Sequence, residues 1–153
     1  MAESPPVIIK PFEELSLHEL HACLKLRGEV FIVGQQIYCE PDVDEVDPLC
    51  HHAMLWQGDE LAGTARLLPV KNGRVIKVGR VAVGEPYRGR GLGVALMRAV
   101  QDWIAREPGR SGVMSAQGYL KGWYTALGWR PVGEHYDEAG IDHVEMHLDA
   151  CKG

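Results

Sequence analysis

Apolar and polar positions along this chain repeat with two periods, and the switches between them outline its elements. Residues 7–10, Val-Ile-Ile-Lys, read as a first strand stopped by Pro11. Ser16 with Glu19 forms a capping box, so a helix begins just after Ser16. Its apolar stripe runs Leu17, Leu20, Leu24 and Phe31, with Cys23, Leu26 and Val30 alongside, and Gly34 ends it. Residues 52–56 and 61–70 read as strands turned by Gly58-Asp59, and Asn72-Gly73 predicts a two-residue hairpin into a strand over 74–83.

Beyond that strand the period becomes helical, with Leu92, Leu96, Ala99, Val100, Trp103 and Ile104 on one face and a stop at Glu107-Pro108-Gly109. Residues 113–116 form a short strand, 119–127 a helix closed by Gly128, and 130–136 with 141–148 a final hairpin. The order βαβββαβαββ predicts one α/β (α+β) domain over residues 1–153, a mixed central sheet flanked by helices.

Three glycines, Gly89, Gly91 and Gly93, lie between the strand ending at Val83 and the helix opening at Leu92. A strand, a glycine-rich turn and a helix start present bare backbone N–H groups to a phosphate. A P-loop would need Gly-Lys-Ser/Thr, yet Val94 and Ala95 follow Gly93, and the G-x-G-x-x-G dinucleotide spacing fails because Val94 stands three residues after Gly91. What stands is Arg88-x-x-Gly91-x-Gly93.

Totals narrow the partners. With 16 basic and 21 acidic residues the net charge is −5, which argues against a nucleic-acid backbone. A hydrophobic fraction of 46% without a bilayer-length run, and an N-terminus unlike a signal peptide, lead us to expect a cytoplasmic protein. Cys23, Cys39, Cys50 and Cys151 lack C-x-x-C spacing and are expected as free thiols, and no metal site is expected.

Two charge features remain open. Arg27 falls on the apolar stripe of the first helix and needs a partner. Residues 40–48 carry five acids, Glu40, Asp42, Asp44, Glu45 and Asp47, in a proline-bounded loop. Either one of these carboxylates neutralises Arg27, or the loop is a collar that attracts a cationic amine.

The residue 88–93 loop, the element order, and Tyr124 followed by a three-residue gap and Gly128-Trp129 resemble the GNAT (Gcn5-related) N-acetyltransferases over nearly the whole chain. The sequence is similar to the ElaA-type branch at Leu26-Arg27, Val30-Phe31, Gln35, Gly79-Arg80-Val81, Ala116-Gln117 and Gly140-Ile141 through His143 to Met146. The resemblance implies acetyl transfer from acetyl-CoA, as co-substrate, to a primary amine or peptide amine by direct transfer in a ternary complex. It implies that Val81, Ala82 and Val83 face the pantetheine arm and acyl carbonyl, and that Arg88, Gly89, Arg90, Gly91, Leu92 and Gly93 hold the pyrophosphate. Gln117 stands where the family often has an asparagine for the pantetheine. Tyr124 is the candidate general acid, and His143 and Glu145, alternating on one strand face, are candidate bases. Arg27, Asp44, Glu45 and His52 are candidates on the acceptor side. A homodimer through the C-terminal hairpin is a further expectation of the resemblance.

Two other functions fit part of the pattern. Acyl-homoserine-lactone synthases share Arg27 with Phe31, the paired Asp44 and Asp47, and Arg66-Leu67-Leu68-Pro69, but they are longer and lack the intact loop. A non-catalytic CoA-binding sensor or interaction module would keep the fold without turnover.

Overall fold

In a computed structural model, residues 6–151 are described, and they build seven strands and three α-helices in the expected order. The strands are β1 (Val7–Pro11), β2 (His51–Gln57), β3 (Glu60–Val70), β4 (Val75–Val83), β5 (Ser111–Gln117), β6 (Arg130–Glu138) and β7 (Ile141–Leu148). The helices are α1 (Leu17–Arg27), α2 (Leu92–Ala105) and α3 (Lys121–Ala126). They form one mixed sheet of order β1-β2-β3-β4-β5-β7-β6, antiparallel except where β4 and β5 run parallel.

The parallel pair needs a crossover, and α2 supplies it. Leu92, Leu96, Met97, Val100 and Ile104 of α2 bury themselves against Leu55, Leu67, Ile76, Met114, Val144 and Met146 of the sheet. Alternation does the rest: Met114 and Ala116 point into this core, so Val113, Ser115 and Gln117 belong to the opposite face. Trp129 is 1% exposed and its indole donates to Gln101 Oε1 at 3.0 Å, tying the start of β6 to α2.

Three local expectations need correction. The capping box at Ser16 is present, with Glu19 N–H donating to Ser16 Oγ at 3.0 Å, but the buried stripe of α1 is Cys23, Leu26 and Arg27, continued by Val30 in the turn that follows. Leu17 is 87% exposed because it occupies the first helical position, over solvent. The helical stretch does end at Gly34, yet Gly28–Gly34 is a π-helical turn, in which Gln35 N–H reaches Val30 O at 2.9 Å. The β3–β4 turn is centred on Lys71-Asn72 rather than Asn72-Gly73. Gly73 N–H bonds Val70 O, and Lys71 and Asn72 both take positive φ, 49° and 58°.

The elements end as their residues dictate. Gly128 adopts φ 108° after α3, with Gly128 N–H to Thr125 O and Trp129 N–H to Tyr124 O, a Schellman closure. All four cysteines are free thiols. No helix among the described residues is long and apolar enough to cross a membrane.

Candidate active site

The sheet opens where the chemistry is expected. β4 and β5 are paired only from Val75–Ser111 to Val78–Met114, and beyond that point the two strands part. On its other side β4 carries a bulge: Thr64 pairs with Ala82 and Arg66 with Gly79, so β4 holds one extra residue there. Arg80 takes φ +49° in that bulge. The residues after Val78 therefore present backbone groups to a gap instead of to a neighbouring strand.

That gap is part of a cleft of about 1080 Å³. One half is lined by Val81, Ala82, Val83, Arg88, Gly89, Gly91, Leu92, Gly93, Trp123 and Tyr124. The other half is lined by Phe31, Gln35, Ile37, Ser115, Gln117, Glu138 and His143.

In the first half, α2 begins at Gly91, whose φ of +75° only a residue without a Cβ adopts without strain. The first ladder bond runs from Ala95 N–H to Gly91 O at 3.1 Å, leaving the preceding helical amides without an intrahelical acceptor. Gly93 serves a different end: a Cβ there would stand 3.3 Å from the Trp123 ring, so its absence lets α3 pack on the loop. Arg88 Nε donates to Val83 O at 3.0 Å and straps the loop to β4. Arg90 lies over the Tyr87 ring at 5.8 Å and does not line the cleft. The turn thus has the amides and the dipole of an anion site, and it fits a pyrophosphate.

Tyr124 is 4% exposed, and among the described residues its hydroxyl makes no hydrogen bond to protein. The Trp123 ring meets it edge-on at 4.9 Å. Burial, with the nearby Tyr119 adding to it, pushes the phenol well above its ordinary value, so it stays protonated. Gln117 does face the cleft, but its amide is engaged in a reciprocal pair with Gln35, at 2.9 and 3.1 Å.

The acceptor-side candidates separate sharply. Arg27, 1% exposed, spends its guanidinium on Asp42 and Asp47: Nε donates to Asp42 Oδ2 at 3.0 Å and Nη1 to Asp47 Oδ1 at 2.7 Å. Asp44 is held by Arg66 at 2.7 Å and by Arg80 at 3.5 Å. Three arginines and three aspartates close a neutral cluster that packs the acidic loop onto α1 and β3. Burial opposes ionisation of Asp44 and Asp47, but the bonds and charges of the arginines outweigh it and hold both carboxyls below the usual range.

His52 is 1% exposed, its ring nitrogen Nε2 lies 2.9 Å from Asp47 O, and burial lowers its pKa. Arg27 and His52, expected on the acceptor side, thus hold the loop in place instead of facing a substrate. Asp44, Glu45 and Glu145 do not line the cleft either; Glu145 turns to His147 at 2.8 Å. His143 does line it, 6% exposed, with Nδ1 2.7 Å from Ile141 O and Nε2 3.3 Å from Glu138.

Glu138 and Ser115 were missed by the sequence reading. Ser115 was within reach, since it shares the β5 face of Gln117 by simple alternation. Hairpin strands over 130–136 and 141–148 leave Glu138 in the loop, and only the actual turn at Ala139-Gly140 puts it on β6. No group of three or more potential metal ligands occurs among the described residues.

Free backbone amides at the start of α2 and a buried, protonated tyrosine, lining one cleft beside a split sheet, are features suited to an acyl-CoA-dependent acyltransferase. Residues 43–150 match the family described as the acetyltransferase (GNAT) domain, and the chain belongs to that family. It is similar to the Escherichia coli protein ElaA, 35% identical over 87% of this chain and 89% of that one. It superposes with a TM-score of 0.85 on an acyl-CoA N-acyltransferase from Pseudomonas aeruginosa, 35% identical over 95% of this chain and 99% of the other. A CoA-dependent acyl-homoserine lactone synthase, BjaI, reaches a TM-score of 0.79 over 96% of this chain and 84% of its own, at 17% identity, a likeness of fold alone.

Proposed function

We propose that this enzyme transfers an acetyl group from acetyl-CoA to a primary amine, directly, with both substrates in the cleft together. The observation that carries this reading is Tyr124: a protonated phenol with no protein partner among the described residues, lining the cleft that opens where β4 and β5 part. The amides opening α2 bind the pyrophosphate, and the freed backbone of β4 lies along the pantetheine arm. The Val81 N–H, next to the bulge, polarises the acyl carbonyl and stabilises the developing oxyanion.

The amine first gives up a proton to reach its nucleophilic form, with His143 as its acceptor. Its nitrogen then bonds to the thioester carbon and the carbon–sulfur bond breaks. Tyr124 donates its proton to the departing sulfur and recovers one from the new amide nitrogen. None of the four cysteines lines the cleft, which supports direct transfer over an acyl-enzyme.

Thermal unfolding with acetyl-CoA, beside ATP and NAD, tests the donor site. A ligand at about 100 times its dissociation constant adds about 2.7 kcal/mol, or roughly 5–10 °C for a chain of this size. Tyr124→Phe should keep that rise while lowering amine-dependent thiol release about 10²- to 10⁴-fold. No rise with acetyl-CoA removes the donor assignment, and undiminished turnover in Tyr124→Phe removes the tyrosine as acid.

A further inference from the structure

The second half of the cleft contains a hydrogen-bonding mismatch. His143 Nδ1 lies 2.7 Å from Ile141 O, and a carbonyl only accepts, so Nδ1 carries the ring proton. In the neutral ring Nε2 is then a bare acceptor, and it faces Glu138 Oε2 at 3.3 Å, another acceptor. Neither group satisfies the other. A positively charged donor lying to one side, in contact with both atoms, would satisfy both.

The carboxylate is held in this position. Ser115 Oγ donates to Glu138 Oε2 at 3.2 Å, and Ser115 Oγ in turn accepts a hydrogen bond from the Tyr136 hydroxyl. The Tyr136 ring stacks on His143, with centroids 6.2 Å apart at 23°. An irregularity in β6 between Val132 and Tyr136 sets this up, because it places Tyr136 directly opposite His143. Tyr136 and Glu138 thus lean over β7 to reach β5. The two acceptors also differ in depth: the His143 side chain is 8% exposed and that of Glu138 50%.

We propose that Glu138 and His143 together seat the ammonium group of the acceptor, a primary alkylamine, a role that rests on the amine-acetylation reading above. Glu138 at the rim attracts the cation and orients its N–H bonds. One of those N–H bonds breaks and an Nε2–H bond forms on His143, leaving a neutral amine and an imidazolium beside the Glu138 carboxylate. The imidazolium later releases that proton to solvent. Phe31, Ile37 and Leu68 line the cleft as well and offer apolar contact to the alkyl portion. Glu138 is a binding residue in this scheme, and Ser115 and Tyr136 are positioning residues.

The test follows the His143 ring nitrogens by long-range proton–nitrogen NMR on the full chain saturated with CoA, assigned by the signal lost in His143→Gln. Propylammonium is the probe and tetramethylammonium, which has no N–H, the control. The expected result is a saturable shift of Nε2 with propylammonium alone. In Glu138→Gln the dissociation constant should rise at least tenfold, and in Ser115→Ala about threefold. An Nε2 signal that ignores propylammonium, responds equally to the control, or keeps its affinity in Glu138→Gln overturns the proposal. The thermal rise with acetyl-CoA, measured on CoA-free portions of the same proteins, separates the two readings. Its presence in Glu138→Gln shows an intact fold and donor site, and its absence in the wild type overturns the donor reading while the amine result still decides the seat.

Discussion

Replacing Arg27 by methionine separates a structural cation from a substrate-binding one. The Arg27 side chain is 2% exposed and makes four hydrogen bonds, two to Asp42 and two to Asp47. Methionine fills much of the same volume, so the loss is mainly electrostatic. Asp42 keeps Arg80 Nε at 3.0 Å and Asp47 keeps Arg66 Nη1 at 3.1 Å, so neither carboxylate is fully abandoned. The cluster nonetheless passes from neutral to one net negative charge in a largely buried place. Breaking a buried pair from one side costs about 3–5 kcal/mol, which corresponds to a fall in Tm of roughly 6–20 °C. Glu45→Gln is the control, because Glu45 is exposed and makes no ion pair among the described residues; it should lie within about 0.5 kcal/mol of the wild type. Circular dichroism melts of the two variants measure both quantities. A Tm for Arg27→Met within about 2 °C of the wild type, together with a raised KM for amine, would refute the structural reading and return Arg27 to the acceptor side.

The same cluster predicts an acid limb. Asp44 and Asp47 are held below their ordinary values in the folded chain, so the unfolded state binds more protons in acid and stability rises with pH there. Stability is fully present above the unfolded carboxyl value of about 3.9 and falls as pH drops through the folded values; a Tm that stays flat from about pH 5 down to about pH 3 contradicts this. In the phosphate loop, Gly91→Ala forces a Cβ into a left-handed N-cap, φ +75°, at a cost of about 1–2 kcal/mol. Its Tm should fall by about 2–8 °C, and acetyl-CoA titration by calorimetry should show weaker binding; an unchanged affinity would mean that this turn does not hold the pyrophosphate.

Elements were legible where a residue type has one physical use. The Ser16–Glu19 box, Gly128 after α3 and the glycine turn before α2 each satisfy backbone groups in a way few other residues manage, and all three stand where expected. The face of α1 was not legible, because Leu17, Leu20, Leu24 and Phe31 make a more apolar stripe than the one the fold buries. An arginine in that stripe lowers its apparent hydrophobicity, and the two aspartates that make its burial tolerable lie 15 and 20 residues away. The π turn after Arg27 had no sequence signal, since Gly28–Gly34 continues the helical pattern with one residue more per turn. The gap between β4 and β5 was equally hidden. Both strands are apolar enough to pair along their full length, and only the register shows that they stop at Val78 and Met114.

Charge was the least legible property, and the reason bears on the site. Five acids in nine residues look like the most negative surface of the chain, yet Asp42, Asp44 and Asp47 are matched one for one by Arg27, Arg66 and Arg80. Arg80 is held in its bulge at φ +49° while its guanidinium reaches two of those aspartates, so the cluster also helps to fix the β4 backbone that faces the gap. The three paired aspartates therefore act through β4, and their charge is already matched. Among the described residues, the carboxylates left to attract a cation are those on the cleft wall without an arginine, Glu40 on the loop, Glu85 between β4 and α2, and Glu138 on β6. Of these three, Glu138 alone is held by a hydroxyl and set against an imidazole. Density of acidic residues along the chain marked the structural cluster, and the binding carboxylate stood alone at a hairpin turn.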